Sequence, residues 1–319
     1  MPHILIAGKL HPKGLALLDS APGVTYDHVE EISEASYQTH LASADAMVIR
    51  TQPLQAASIA KASRLKIVSR HGVGYDAVDV AALNARNIPL CIVGDVNSVS
   101  VAEHAMMLIL ACAKQLIRSD NSVRHGPWGW RNKLEAAEIS GKRLLIIGYG
   151  RIGRHLARMA SGFGMEIRAV DPFLATAGWP AADLASPTDL AAGLAWADVV
   201  SVHVPKAGAA LIGAAELASM KPGAIIVNTA RGGVVDELAL AAALRAGTVA
   251  AAGIDVFDAE PPGPEHPLIG FDEVILTPHI AGLTQQAAER MAISSVQNVL
   301  DFFAGQLAAD LIVNKDNLK

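Results

Sequence analysis

The stretch Leu144-Leu145-Ile146-Ile147-Gly148-Tyr149-Gly150-Arg151-Ile152-Gly153 reads as a buried strand running straight into glycines spaced G-x-G-x-x-G, and Asp171 follows 18 residues after the last glycine, at the end of a second apolar run. Each part has a mechanical reason to belong to a dinucleotide site. Gly148 allows the tight turn, Gly150 lets backbone N–H groups approach a pyrophosphate, and Gly153 lets the helix that starts there pack closely on the strand. Asp171 is placed to accept hydrogen bonds from the adenosine ribose hydroxyls. A carboxylate at that position repels an extra 2′-phosphate, and no Arg or Lys stands in Asp171-Pro172-Phe173-Leu174-Ala175-Thr176 to receive one. The cofactor expected is therefore NAD rather than NADP.

On both sides of this unit the same rhythm continues. Strand-like runs recur at Ile4–Ala7, Val24–His28, Ala46–Ile49, Leu65–Ser69 and Leu90–Val93, with helical patterns at Lys13–Ser20, Ala35–Ala44, Ala56–Ala62 and Val80–Arg86 between them. A second series starts at Arg143 and continues through Glu166–Val170, Asp198–His203, Ala224–Asn228, Ala250–Asp255 and Val274–Leu276. Strands alternating with helices predict parallel sheets covered on both faces. Long helices are expected at Ser100–Arg118 and Thr284–Ala304. The expected architecture is α/β, two doubly wound parallel-sheet domains: a flavodoxin-like substrate domain from residues 1–99 and 286–319, and a Rossmann NAD-binding domain from 100–285.

Composition bounds the partners. At 319 residues there is enough chain for two cores, 51% of it is hydrophobic and only 4% aromatic. With a net charge of −5 and no basic tract, nucleic acid is not an expected partner. The most apolar helix, around Val101 to Ala113, carries Glu103 and His104 and is shorter than the roughly 20 apolar residues of a membrane span, so no membrane is expected. Cys91 and Cys112 sit in apolar segments without metal-type spacing, as small buried side chains of a reducing compartment. No metal is expected. The N-terminal Met1-Pro2-His3-Ile4-Leu5-Ile6-Ala7-Gly8 is too short for a secretory signal, so the expected location is cytoplasmic.

Three segments of the second series end strands in polar residues. Asn228-Thr229-Ala230-Arg231-Gly232-Gly233 places an Arg, Asp255-Val256-Phe257-Asp258-Ala259-Glu260-Pro261-Pro262 a carboxylate, and Thr277-Pro278-His279-Ile280-Ala281-Gly282 a His, all at the carboxyl edge where ligands of such sheets bind. Alone, each reads as a surface charge, a turn residue or one His among eleven. Together, after a dinucleotide fingerprint, they supply a cation to polarise an oxo acid and an acid to protonate the developing alkoxide.

At these residues the chain resembles the D-isomer-specific 2-hydroxyacid dehydrogenases, most closely the 3-phosphoglycerate and the hydroxypyruvate or glyoxylate members. The resemblance spans nearly the whole chain. It takes in Gly72-Val73-Gly74-Tyr75-Asp76, Asn97-Ser98-Val99-Ser100-Val101-Ala102-Glu103, the glycine fingerprint, Thr229–Gly233, Asp255-Val256-Phe257 with Glu260-Pro261, and Pro278-His279. It implies that His279 is the general acid/base, Glu260 its partner, and Arg231 the group that binds substrate oxygens. It further implies that Asp255 holds the nicotinamide carboxamide and that the amides of Val73 and Gly74 hold the substrate carboxylate. Arg151, Ile152, Val204, Thr229, Ala230 and Gly282 join the cofactor site by the same implication. One segment departs from the pattern: after Val202-His203-Val204-Pro205, most relatives carry a Leu-Thr-x-x-Thr-type loop, where this chain has the shorter Lys206-Ala207-Gly208-Ala209-Ala210. His203 itself reads as a strand-end residue rather than a second acid.

Arg50 and Arg70 follow strands of the first series, and phosphoglycerate members similarly place arginines there to hold a phosphate. The forked guanidinium suits a doubly accepting anion, so a substrate with a second anionic group is expected, with hydroxypyruvate or glyoxylate as the alternative. Either arginine could instead pair with a local carboxylate. Trp128 and Trp130 occupy a stretch that reaches the partner subunit in relatives, so the resemblance implies a homodimer. A few relatives use the fold as a nucleotide-sensing corepressor, usually with disordered extensions. This chain starts in a strand and stops soon after its last helix, which favours an enzyme. Formate dehydrogenases carry Gln where Glu260 stands, which argues against that chemistry.

Overall fold

Alternate side chains of each short apolar run are buried on opposite faces of a sheet, and this decides the layering. In the computed structural model, which describes residues 1–180 and 183–318, the chain runs β1 (His3–Ala7), α1 (Pro12–Asp19), β2 (Thr25–Val29), α2 (Glu34–Tyr37), β3 (Ala46–Ile49), α3 (Ala56–Lys61), β4 (Ile67–Arg70), α4 (Val80–Ala85) and β5 (Leu90–Cys91). It continues through α5 (Ser98–Ala113), α6 (Leu116–His125), β6 (Arg143–Ile147), α7 (Arg151–Gly162), β7 (Glu166–Val170), α8 (Pro172–Ala177), β8 (Ser186–Pro187), α9 (Leu190–Trp196) and β9 (Val199–Val202). The remaining elements are α10 (Ala214–Ser219), β10 (Ala224–Asn228), α11 (Glu237–Arg245), β11 (Val249–Ile254), β12 (Val274–Leu276) and α12 (Gln285–Ala304). The chain divides into two units, one made of Met1–Asn97 with Leu283–Lys319, the other of Ser98–Gly282.

The first unit is a five-stranded sheet in the order β2-β1-β3-β4-β5, every pair parallel. Leu5, Ala7, Met47, Ile49, Val68 and Leu90 fill one face, while Ile4, Ile6, Ala46, Val48, Ile67 and Cys91 meet Ala292, Val296 and Val299 of α12 on the other. This two-sided burial is why the strands read as unbroken apolar runs. α12 begins at Thr284, whose side chain accepts from Ala287 N, and ends at Gly305 in the left-handed conformation. Beyond it the chain returns to β5: Ile92 N donates to Leu311 O and Val313 N to Leu90 O, which covers the edge strand.

The second unit is a seven-stranded parallel sheet, β12-β11-β10-β9-β6-β7-β8. Its strand order reverses between β6 and β9, the position at which ligands bind in doubly wound sheets. Leu144, Ile146, Val199, Val227 and Ala251 pack under α5 and α7, and Leu145, Ile147, Val200, Val202, Ile226 and Ile254 under α9, α10 and α11. Truncating a wholly buried residue such as Ile146 to Ala would cost about 2–5 kcal/mol.

One expected element is corrected. The single helix over Ser100–Arg118 is two helices, α5 and α6, bent by 58°, because Gln115 takes φ +51 in the left-handed region and ends the i→i−4 ladder. No single helix among the described residues is long and apolar enough to cross a membrane. Cys91 and Cys112 are buried free thiols that burial pushes up to about 12.

Candidate active site

Because all strands of the second unit are parallel, the segments after β6, β9, β10, β11 and β12 share one edge of its sheet. The glycine turn follows β6. Gly148 takes φ +95, and a Cβ on it would lie 2.6 Å from His203 O and 2.9 Å from Val204 Cγ1, so the segments after β6 and β9 touch only because no side chain intervenes. A Cβ on Gly153 would sit 2.4 Å from Gly148 O, while one on Gly150 would meet nothing within 4 Å. The helix thus packs tightly on the turn, with open space beside Gly150.

Arg151, Ile152 and Gly153 form the first turn of the twelve-residue α7, where Gly150 offers no capping side chain to their N–H groups. Asp171, half-buried, caps α8 through Oδ1, which accepts from Phe173 N at 3.0 Å and Leu174 N at 3.1 Å. Its Oδ2 accepts from Tyr149 N at 2.9 Å and keeps room for one more donor. The Tyr149 hydroxyl in turn donates to Asp183 Oδ1 at 2.8 Å and pins the turn from behind. An open space at a helix N-terminus with a fixed carboxylate beside it fits the pyrophosphate and ribose of a dinucleotide.

After β9, His203 bonds Ser201 Oγ through Nε2 at 2.9 Å and Thr229 Oγ1 through Nδ1 at 3.5 Å. Burial pushes it down to about 4, so it is a neutral structural group at the strand end. After β10, buried Asn228 folds the next turn, its Oδ1 accepting from Ala230 N at 3.0 Å and its Nδ2 donating to Arg231 O at 2.9 Å. Arg231 Nη1 donates to Ala230 O at 2.7 Å, which ties one end of the guanidinium fork to its own turn. The following residue must be glycine: a Cβ on Gly232 would lie 1.9 Å from the carbonyl carbon and oxygen of Phe257. The Arg231 turn and the Glu260 loop therefore lie in backbone contact.

Glu260 accepts from Phe257 N through Oε1 at 3.0 Å and meets His279 Nδ1 through Oε2 at 2.8 Å. Glu237 braces the same loop from α11, accepting from Asp258 N and from His266 Nε2, each at 2.8 Å. His279 is 51% exposed on its side chain, and its Nε2 has no hydrogen-bond partner among the described residues. Its backbone is left-handed at φ +52, uncommon for any residue but glycine.

Asp255, expected at the nicotinamide carboxamide, is wholly buried, and both oxygens accept from the turn that carries His279: Thr277 Oγ1 at 2.6 Å and Ile280 N at 2.9 Å on Oδ1, Ala281 N at 3.0 Å on Oδ2. Gly282, another expected cofactor contact, closes this turn at the end of the unit. Two neighbours were invisible in the sequence. His104 of α5 reaches Thr277 Oγ1 at 3.0 Å from a partner 173 residues away, and Lys206 of the shortened loop pairs with Asp258.

In the first unit, Arg50 and Arg70 follow the neighbouring strands β3 and β4, with Ile49 paired to Arg70. Arg50 stands where that sheet's order reverses, and among the described residues it forms no ion pair. Arg70 folds back on its own turn, Nη1 donating to His71 O at 2.9 Å and Ile49 O at 3.4 Å. Val73 and Gly74 follow on the same half-buried loop. His71 between them is 6% exposed and neither ring nitrogen has a partner among the described residues. Burial first, then the charges of Arg50 and Arg70, push its imidazole down to about 4.

Among the described residues no cluster of three or more His, Cys, Asp or Glu could hold a metal ion.

Comparison with known proteins identifies the family. Residues 106–281 match the model of the D-isomer specific 2-hydroxyacid dehydrogenase NAD binding domain. A D-3-phosphoglycerate dehydrogenase from Mycobacterium leprae is 39% identical over 317 residues, 98% of this chain but 59% of the relative, so the chain spans about three-fifths of that protein's length. A glyoxylate reductase from Aeropyrum pernix is 34% identical over all of this chain and 97% of its own. The solved NADPH-dependent glyoxylate/hydroxypyruvate reductase of Sinorhizobium meliloti superposes with a TM-score of 0.86 at 28% identity, covering 100% of both chains. With the glycine turn, the Arg231 turn and the His279–Glu260 pair on one sheet edge, and a family model matching more than half of its length, the chain belongs to the D-isomer specific 2-hydroxyacid dehydrogenase family and carries that family's NAD binding domain.

Proposed function

We propose that this protein is an NAD-dependent D-2-hydroxyacid dehydrogenase that reversibly reduces a small 2-oxo acid bearing a second anionic group, of the phosphohydroxypyruvate and 3-phosphoglycerate type. The observation that carries this reading is the His279–Glu260 pair: Glu260 takes Nδ1 and leaves Nε2 as the nitrogen that gives up or accepts a proton. Bound NADH supplies the hydride. Arg231 binds and polarises the oxo acid, the Nε2 proton of His279 goes to the alkoxide oxygen as it forms, and Glu260 stabilises the imidazolium before transfer. The amides of Val73 and Gly74 receive the substrate carboxylate, and Arg50 the second anion. Asp171 selects NADH over NADPH by repelling a 2′-phosphate. The exposed apolar side chains of Leu116, Ile117, Val123 and Trp128 support a homodimer through α6 and the segment after it.

A second reading, reduction of hydroxypyruvate or glyoxylate, is favoured by Arg70, whose Nη1 is engaged by two backbone carbonyls of its own neighbourhood. NADH and NADPH oxidation with phosphohydroxypyruvate, sulfopyruvate, hydroxypyruvate and glyoxylate separates the two. The first reading expects Arg50→Ala to lower kcat/KM for the phosphorylated acid by about 100-fold and for glyoxylate by less than about threefold. Equal losses on both would remove the second anion from the account. A chain that binds NADH but reduces none of the four would be a sensor instead.

A further inference from the structure

We propose that His104, acting through Thr277 and Asp255, is a positioning residue that fixes the His279 imidazole against Glu260; the proposal rests on the reading of His279 as the proton donor. α5 packs across β10, β11 and β12, and a Cβ on Gly253 of β11 would lie 2.8 Å from Leu108 Cβ, so the missing side chain lets the helix settle onto the strand. His104 is four residues before Leu108 and so lies one turn along the same face of α5. From there its Nε2 comes within 3.0 Å of Thr277 Oγ1 at the end of β12.

The direction of each bond follows from what the groups can do. The carboxylate of Asp255 is accept-only, so the Thr277 hydroxyl proton is committed to Oδ1 at 2.6 Å, and Thr277 Oγ1 must accept from His104. His104 is therefore assigned as the Nε2–H donor. Asp255 then grips both sides of residue 279: Thr277 before it, the amides of Ile280 and Ala281 after it, while the Asp255 carbonyl accepts from His279 N at 2.8 Å. A side-chain-bearing residue at φ +52 persists only where its surroundings over-determine it, and this buried network does so. Without the His104 donor, the Thr277 hydroxyl still donates to Asp255 but loses the bond that ties its oxygen to α5, and the turn relaxes away from the geometry that brings Nδ1 to Glu260.

Two variants test this independently in the 319-residue chain: His104→Phe removes the donor and Thr277→Val removes the relay. The first readout is the imidazole 15N shifts of His279, which report the ring tautomer without any turnover. The wild type is expected to hold the Nδ1–H form imposed by Glu260, and both variants to lose it. The second readout is steady-state reduction, in which kcat is expected to fall about tenfold with KM and NADH binding changed less than about twofold. His104→Gln, which returns an N–H at similar reach, is expected to restore both readouts. A wild-type-like His279 spectrum in His104→Phe and Thr277→Val, or no rescue by His104→Gln, would overturn the positioning role. If the tautomer changes as expected but the wild type reduces no oxo acid, the positioning role stands and the proposed function falls.

Discussion

His71 predicts an acid-sensitive first unit. Its imidazole is 6% exposed, has no partner on either ring nitrogen among the described residues, and is held at about 4 by burial together with the charges of Arg50 and Arg70. In the unfolded chain it titrates near 6.5. A base whose folded pKa lies below its unfolded value takes up a proton on unfolding, so stability falls as pH drops below 6.5 and levels off below about 4. The difference of about 2.5 units corresponds to about 3 kcal/mol in full, of which about 2 kcal/mol is lost between pH 7 and pH 5. His71→Leu, close in volume, removes both this titration and two buried nitrogens that lack partners, whose desolvation costs about 1–3 kcal/mol. Urea denaturation followed by circular dichroism should therefore find His71→Leu more stable than wild type at pH 7, and more so by a further 2 kcal/mol or thereabouts at pH 5. Other histidines titrate identically in both proteins and cancel in the difference. Parallel stability curves from pH 7 to pH 5 would refute the reasoning, because they would mean that His71 reaches water or an acceptor in the folded chain.

Glu260→Gln keeps the shape of the loop but removes the charge beside His279 Nδ1, and NADH-oxidation assays should show kcat lowered by about 10² with KM little changed. Gly232→Ala drives a methyl group into the Phe257 carbonyl, 1.9 Å away, so calorimetry should find stability reduced by about 3 kcal/mol, with turnover falling alongside as the Arg231 and Glu260 loops separate. Asp45 is 4% exposed; burial opposes its ionisation, but His3 N, Arg64 and Lys66 hold its carboxyl below the usual range. Its contribution is present above the unfolded carboxylate pKa and disappears as pH falls through the folded one. Asp45→Asn should thus cost stability, by about 1–3 kcal/mol, at neutral pH and progressively less as acid protonates the wild-type carboxylate.

What the sequence reveals and what it hides divide along a physical line. Strand runs buried on both faces carry their own signature, and the glycine turn announces itself because Gly148 and Gly153 stand where a Cβ would strike backbone within a few residues or across one neighbouring strand. Arg231, Glu260 and His279 were legible as polar residues just past strand ends, and parallel pairing then placed them on one edge. The bend at Gln115 was not legible, since neither glycine nor proline marks it and the left-handed turn is imposed by packing. Nor was the cover of β5 by residues 311–313, a pairing with no local pattern. His104 was hidden for a further reason: on a helix otherwise rich in apolar residues it reads, beside Glu103, as no more than a polar interruption, and only the fold brings a hydroxyl from residue 277 to it. Hydrophobic periodicity and turn chemistry are local, so they report elements and the residues at their ends. Polar groups satisfied inside the fold owe their role to a partner distant in sequence, and here that class contains the residues that hold the proposed proton donor in place.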